Sequence, residues 1–263
     1  MHRAQVRKGT DIPTTLTKIE NRKFRPIPSS VRQHLCGLDV SLDDYQIEML
    51  ARYLDRLLET NRHINLTAVR DRDLAWHRLI VDSLTLIPFL EQIPSDSRLI
   101  DLGTGGGLPG IPVAVACPQF KVTLLEATAK KARFCADCVK SLAFANINVV
   151  NDRVETIGHE PLHRAQYDVA LCRAVGRMAT VLEYAMPLLR VGGKIMAIKG
   201  PSAEAELEQA SNAMDQLGAG QLMVFDAYPD GFDQDTVIVL LTKETETPSI
   251  YPRRPGIPRK TPL

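Results

Sequence analysis

From about residue 95 onward, short and nearly continuous apolar runs alternate with longer stretches whose apolar residues recur at helical spacing. No other feature of the chain constrains its fold as strongly. Leu99–Leu102, Val122–Leu125, Ile147–Val150, Val169–Cys172 and Lys194–Ile198 read as five strands. Helical patterns run through Ile111–Cys117, Lys130–Leu142, Val181–Leu189 and Ser202–Leu217. Strands without polar alternation are buried on both faces, so the pattern predicts an α/β fold with a mainly parallel sheet between layers of helix. Leu222–Phe225 and Thr236–Leu241 have no helix between them, which predicts an antiparallel hairpin at one edge and seven strands in all.

Ahead of this domain, residues 37–94 read as a small helical region. Ile47, Leu50, Ala51, Leu54, Leu57 and Leu58 fall on one helix face, with Ser41 and Asp44 resembling a capping box at its start. Ala75–Leu86 gives a second apolar pattern, expected to end near Pro88. Residues 1–36 carry eight Lys and Arg against Asp11 and Glu20, and three prolines interrupt any periodicity, so they read as a mobile basic arm. The main α/β body is expected over 95–248, and 249–263 form a Pro-rich tail with four basic residues and no acid.

The chain has 263 residues with a formal net charge of +1, which at first argues against a protein that coats nucleic acid by bulk charge. The distribution reverses that inference. The N-terminal arm contributes +6 and the C-terminal tail +4, so the remainder carries −9. An acidic body with two basic ends suits a nucleic acid gripped locally. Five cysteines form no disulfide framework and suit a reducing cytosol. The opening residues lack the apolar core of a signal peptide, and no run approaches the ~18 apolar residues of a membrane span.

Asp101-Leu102-Gly103-Thr104-Gly105-Gly106-Gly107-Leu108 stands at the carboxyl end of the first predicted strand, where open α/β sheets bind ligands. Counted from Gly103, a dinucleotide fingerprint fails at Leu108, and no phosphate-loop motif occurs anywhere. What remains is acid-x-G-x-G-x-G, which resembles the S-adenosylmethionine loop of Rossmann-like methyltransferases. Glu126 ends the second strand, where a carboxylate can accept hydrogen bonds from ribose hydroxyls. Arg153, Arg173, Arg177 and Lys199 fall at or just beyond strand ends on the same rim.

Further residues resemble one family. Asn65-Leu66-Thr67-Ala68, His77 with Asp82-Ser83-Leu84, Asp101 through Pro112, Arg153-Val154-Glu155, Arg173-Ala174, Lys199-Gly200 and the tail from Tyr251 to Leu263 look like the bacterial 16S ribosomal RNA guanine-N7 methyltransferases, the glucose-inhibited division protein B family. The resemblance runs from about Leu38 to the last residue. It implies a Rossmann-like class I methyltransferase fold. It also implies a cytoplasmic enzyme, expected as a monomer, that methylates N7 of a guanosine in the 530 loop of 16S RNA, free or in the small subunit. By position, S-adenosyl-L-methionine would be held by Gly103, Gly105, Leu108, Glu126, Val154, Glu155 and Arg173. Arg173 and Lys199 would position substrate, and Arg153, Lys199 and Arg253 would contact RNA. The basic arm has no counterpart in the family, and Cys172 stands where a serine often precedes the Arg-Ala pair.

The chemistry implied asks little of acid–base groups. Purine N7 has a free lone pair and loses no proton on methylation, so no general base is required and alignment carries the catalysis. Other signals carry less. His159-Glu160-Pro161-Leu162-His163 spells a zinc-protease motif, but Gly158 and Pro161 predict a loop, and no metal is expected. Cys135 and Cys138 fall inside a predicted helix and read as packing. Cys172 at a strand tip leaves one alternative, covalent attack on a pyrimidine. A donor-binding ribosome assembly factor without turnover is the non-enzymatic alternative.

Overall fold

The computed structural model describes residues 27–229 and 235–263, so most of the expected basic arm, residues 1–26, lies outside the described residues. Five strands pair in parallel: β1 (Arg98–Leu102), β2 (Lys121–Leu125), β3 (Ile147–Val150), β4 (Tyr167–Arg173) and β5 (Leu189–Lys199). β6 (Ala219–Asp226) and β7 (Val237–Lys243) form the antiparallel hairpin, and the sheet order is β3-β2-β1-β4-β5-β7-β6. Strand order reverses between β1 and β4. The carboxyl ends of those two strands therefore border the crevice where such sheets take ligands.

Two cores explain the layers. Leu99, Leu124 and Ile238 on one face of the sheet share a buried cluster with Val31, Leu50, Leu57 and Trp76. Ile100, Leu102 and Val239 on the other share one with Val181, Leu182 and Leu217. The N-terminal helices are thus one cover of the sheet and not a separate unit. α1 (Ser29–Gly37) corrects the reading of an arm extending to residue 36. Its Val31 and Leu35 are buried, an apolar pair one turn apart that the surrounding charges masked.

α2 (Asp44–Thr60) starts two residues later than the Ser41 pattern suggested, because Asp43 and Gln46 form the reciprocal capping box. The Gln46 amide also donates to Val115 O and Ala116 O, a tertiary bond that favours this register of capping. The second apolar pattern folds as α3 (Arg72–Ala75), a π-helical turn (Trp76–Val81) and α4 (Asp82–Leu84). Pro88 opens α5 (Ile87–Leu90) and does not end a helix, since the first turn needs no amide donor there.

α6 (Gly110–Ala116) and α7 (Ala129–Ser141) match their predicted positions within a residue or two. α8 (Val154–Ile157) is one turn after β3. α9 (Met178–Ala185) ends early because Leu189 already begins β5. That strand holds Gly192 and Gly193, and a Cβ at Gly193 would lie 2.9 Å from Arg190 O and 3.1 Å from Asp168 O. The expected Ser202–Leu217 helix divides into α10 (Ala203–Glu208) and α11 (Ser211–Leu217).

The C-terminal tail, with α12 (Ile257–Lys260), is fastened to this frame. The Arg164 guanidinium donates to four carbonyls, those of Gly158, Thr247, Pro248 and Tyr251. Arg253 pairs in bidentate fashion with Glu183, whose side chain has 0% exposure, at 2.5–3.1 Å. Arg253→Ala should therefore leave a buried carboxylate without its cation and lower stability by about 3 kcal/mol. A urea-melt midpoint that falls with an unchanged slope, together with faster proteolysis of the tail, is the expected result.

Candidate donor-binding and catalytic site

The loop between β1 and α6 crosses the carboxyl end of the sheet and is held at several points. Asp101 is fully buried, and its Oδ2 accepts from Thr104 Oγ1 at 2.5 Å and from Gly110 N at 2.8 Å. Thr104 N donates to Leu125 O and so lays the loop over β2. Gly105 N donates to Glu126 Oε2 at 2.9 Å, and Thr128 N to Glu126 Oε1 at 2.7 Å. From α2, the Tyr53 hydroxyl donates to Gly106 O at 2.7 Å. Two glycines here are steric necessities. A Cβ at Gly107, where φ is +96°, would meet Ile111 Cδ1 at 2.4 Å. One at Gly110 would meet Leu124 Cδ2 at 2.3 Å and Asp101 Oδ2 at 2.7 Å.

Burial pushes the Asp101 carboxyl up to about 7, against the hydrogen bonds from Thr104 and Gly110 and the nearby Arg173 charge. Its second oxygen, Oδ1, is buried with no hydrogen-bond partner among the described residues. An orphaned carboxylate oxygen beside a glycine loop is a ready acceptor for a cationic or hydrogen-bonding ligand. Glu126 Oε1 and Oε2 each hold one amide and keep lone-pair capacity for hydroxyls. The unpaired Asp101 oxygen and the Glu126 carboxylate thus leave acceptor capacity of the kind that the ammonium and ribose hydroxyls of an S-adenosylmethionine-like donor require.

Arg173 ends β4, half-buried, and donates to Arg78 O in the π-helical turn at 2.8 Å. Its positive charge opposes the rise in proton affinity that burial imposes on Tyr53, Asp82, Asp101 and Tyr228. Ala174, the next residue, has φ of +55°, so the chain leaves the strand through a left-handed turn at the tip. Asp82 accepts a hydrogen bond from the Tyr228 hydroxyl; burial raises the carboxyl, and Tyr228 and Arg173 oppose the shift. Sequence reading missed Tyr53, Asp82 and Tyr228 as parts of the site. Asp82 was visible in the Asp-Ser-Leu motif, whereas nothing near Tyr228 signalled its role.

Other expected residues are placed differently. Leu108 puts its side chain in the core and its amide on Thr104 O, and Val154 is also buried. The Glu155 carboxylate accepts from Gly256 N and Tyr184 Oη, so it anchors the tail. Lys199 has only 9% side-chain exposure and donates to Gly176 O and Glu206 Oε2, pinning the approach to α9. Arg253 is spent on Glu183. Lys199 and Arg253 are expected as RNA contacts, but each is paired with an acid of the protein, Glu206 and Glu183. Arg153 and Arg177 are exposed on the rim.

The discounted signals are likewise engaged elsewhere. His159 bonds Pro252 O and His163 bonds Tyr167 Oη, both within turns. Cys135 and Cys138 are buried in α7. His77 contacts Ser30 and His34 of α1. Among the described residues no group of three or more His, Cys, Asp or Glu could hold a metal, and no helix is long and apolar enough to cross a membrane.

A parallel sheet reversing between β1 and β4, with an antiparallel β7 and a glycine loop backed by acids on β1 and β2, defines a Rossmann-like methyltransferase. Solved structures share the fold. A predicted O-methyltransferase from Agrobacterium tumefaciens matches with a TM-score of 0.51 at 21% identity, covering 63% of this chain and 82% of that one. A mutant of MtNAS matches with a TM-score of 0.52 at 16% identity, covering 82% of each chain. The family model described as rRNA small subunit methyltransferase G matches residues 46–229. Proteins named ribosomal RNA small subunit methyltransferase G from Moorella thermoacetica and Leuconostoc citreum are 38% and 37% identical, over 85% of this chain and 93% and 94% of theirs. The chain belongs to the rRNA small subunit methyltransferase G family.

Two outcomes test the site. Glu126→Ala should weaken donor binding tenfold or more, on the order of one charged hydrogen bond, without unfolding the protein. Isothermal titration with S-adenosylmethionine and a thermal melt read the two effects separately. Asp101 binds a proton more tightly folded than unfolded, so its contribution to stability is full below about pH 4 and is lost as pH rises through about 7. Asp101→Asn should therefore stabilise the donor-free protein more at pH 8 than at pH 5 while weakening donor binding. Melts at the two pH values check the sign.

Proposed function

We propose that this chain transfers a methyl group from S-adenosyl-L-methionine to N7 of a guanosine in the 530 loop of 16S ribosomal RNA, presented free or in the small subunit. Family membership supports the methyl transfer and the ribosomal substrate. The observation that carries the mechanism is the set of groups around the glycine loop: buried carboxylates for a cationic donor, one half-buried arginine above them, and exposed arginines on the rim. The donor supplies an electrophilic methyl on a sulfonium centre.

On this reading Asp101 and Glu126 hold the donor's polar groups, and the glycine backbone lets it lie close to the β1 tip. Arg173 is held by the Arg78 carbonyl, and its remaining donors would meet the incoming base. No residue needs to remove a proton, because N7 carries none. A 530-loop guanosine would be splayed out of its stack to reach the β4 tip, with Arg153 and Arg177 near its phosphates. Catalysis then rests on bringing N7, the methyl carbon and the sulfur into line, which in well-oriented systems is worth up to about 7–11 kcal/mol.

One group bears on the alternative of attack by Cys172 on a pyrimidine. The thiol is buried and pushed up to about 12 by desolvation, against the nearby Lys199 charge, so little thiolate exists at neutral pH. Incubation with labelled donor and small-subunit RNA or particles, followed by nucleoside analysis, should yield 7-methylguanosine. Appearance of 5-methylcytidine would move the chemistry to Cys172, and donor binding with no labelled nucleoside would favour an assembly factor. Arg173→Ala should lower kcat about a hundredfold, the scale expected when a reacting group is displaced by about 1 Å. The donor dissociation constant should change far less.

A further inference from the structure

The two helices that brace the glycine loop also enclose a cavity outside the donor site. Tyr53 of α2 donates to Gly106 O, Cys135 of α7 donates to Gly105 O, and Leu57 of α2 fills the space where Gly106 lacks a Cβ. Beside these contacts, Arg56 and Thr60 of α2 face Lys130, Arg133 and Asp137 of α7 across a cavity of about 140 Å³. At roughly 30 Å³ per water it is large enough for a phosphate group with its residual hydration. Phe134 and Cys138 are also part of its lining.

Lys130, Arg133 and Asp137 are exposed at this cavity, and Arg56 is half-buried and hydrogen-bonds the Cys138 thiol. Three cations meet one acid, and none of the ion pairs among the described residues involves Arg56, Lys130 or Arg133. Lys130 lies in the first turn of α7, which contains no acid, although the positive end of a helix dipole disfavours a cation there. Arg133 follows it at i+3 on the same face. Like charges gathered against a helix dipole, in a body whose net charge is negative, are relieved when an anion enters. Arginine and lysine with a hydroxyl nearby are the side chains that bind phosphate oxygens. The place is near the donor site, since Thr128, two residues before Lys130, donates its amide to Glu126.

We infer that the α2–α7 cavity is a phosphate subsite for the RNA substrate, in which Arg56, Lys130 and Arg133 hold a backbone phosphate away from the nucleotide being methylated. The inference rests on the ribosomal RNA reading above. It accounts for how RNA is gripped when Lys199 and Arg253 are paired with Glu206 and Glu183. Asp137 limits the grip, because it faces the same cavity with opposite charge.

The test uses the full chain and the Arg56→Gln/Arg133→Gln double variant. Filter binding to small-subunit RNA across a salt series, donor calorimetry and steady-state rates are measured together. RNA affinity should fall about tenfold, with a salt slope shallower by roughly one phosphate contact. Donor affinity should stay within about twofold of the unaltered protein, and the KM for RNA should rise with the loss of RNA affinity. Asp137→Asn should tighten RNA severalfold, and Lys140→Gln, an exposed charge in the last turn of α7, should change nothing. Inorganic phosphate should compete with RNA on the unaltered protein and less on the double variant. Unchanged RNA affinity and salt slope in the double variant would overturn the inference, and a matching loss of donor affinity would assign the cavity to the donor site. If phosphate binding is lost but RNA binding is not, the cavity takes a free anion and the RNA role fails. Because RNA binding is read directly, these failures are distinct from an absence of methylated guanosine, which would sink the parent reading alone.

Discussion

Asp101 Oδ2 accepts from the Thr104 hydroxyl and the Gly110 amide, and so joins the two ends of the loop that crosses the top of the sheet. The rest of the site depends on this knot. It lies at 0% exposure on β1, an interior strand, so the carboxylate that makes it is held away from bulk water. Its second oxygen is left unpaired, and its proton affinity is raised. A buried polar group in that state weakens the donor-free protein and strengthens any ligand that satisfies it. Stability is given up at the same atom where binding is gained.

Around that knot, backbone and side chains are fixed from several directions. Glu126 holds Gly105 from β2, Tyr53 holds Gly106 from α2, and Arg173 lies above, tied to the π-helical turn. π-Helical turns are rare and recur at functional sites because the extra residue redirects a carbonyl. Here Arg78, within that turn, offers its carbonyl to the arginine that reads as the substrate positioner. The N-terminal helices therefore have a second task beyond covering one sheet face. They set where the β4 tip points.

Much of this was legible in the residues taken in order. Short apolar runs such as Val122–Leu125, alternating with helical patterns, point to strands buried on two faces, and acid-x-G-x-G-x-G at a strand end points to a close-approach loop. The end of the second strand singled out Glu126, and the Arg-Ala motif Arg173, as candidates. Charge was the misleading signal. Lys199 and Arg253 look like Arg153 in a sequence, yet two are paired with Glu206 and Glu183 and one is exposed. Which acid meets which base is a long-range fact, separated by 70 residues for Arg253 and Glu183.

The sequence by itself determined the layer order, the glycine loop and its acids, because periodicity and backbone sterics act over a few residues. Only the tertiary structure decided that residues 29–37 form a helix packed on the core, that the tail is clasped by Arg164 and Glu183, and that Asp82 reaches Tyr228. It alone brought Arg56 beside Arg133. Those outcomes turn on desolvation and pairing between distant segments, and a side chain's charge is worth nothing fixed until the fold decides whether it faces water, an acid or another cation.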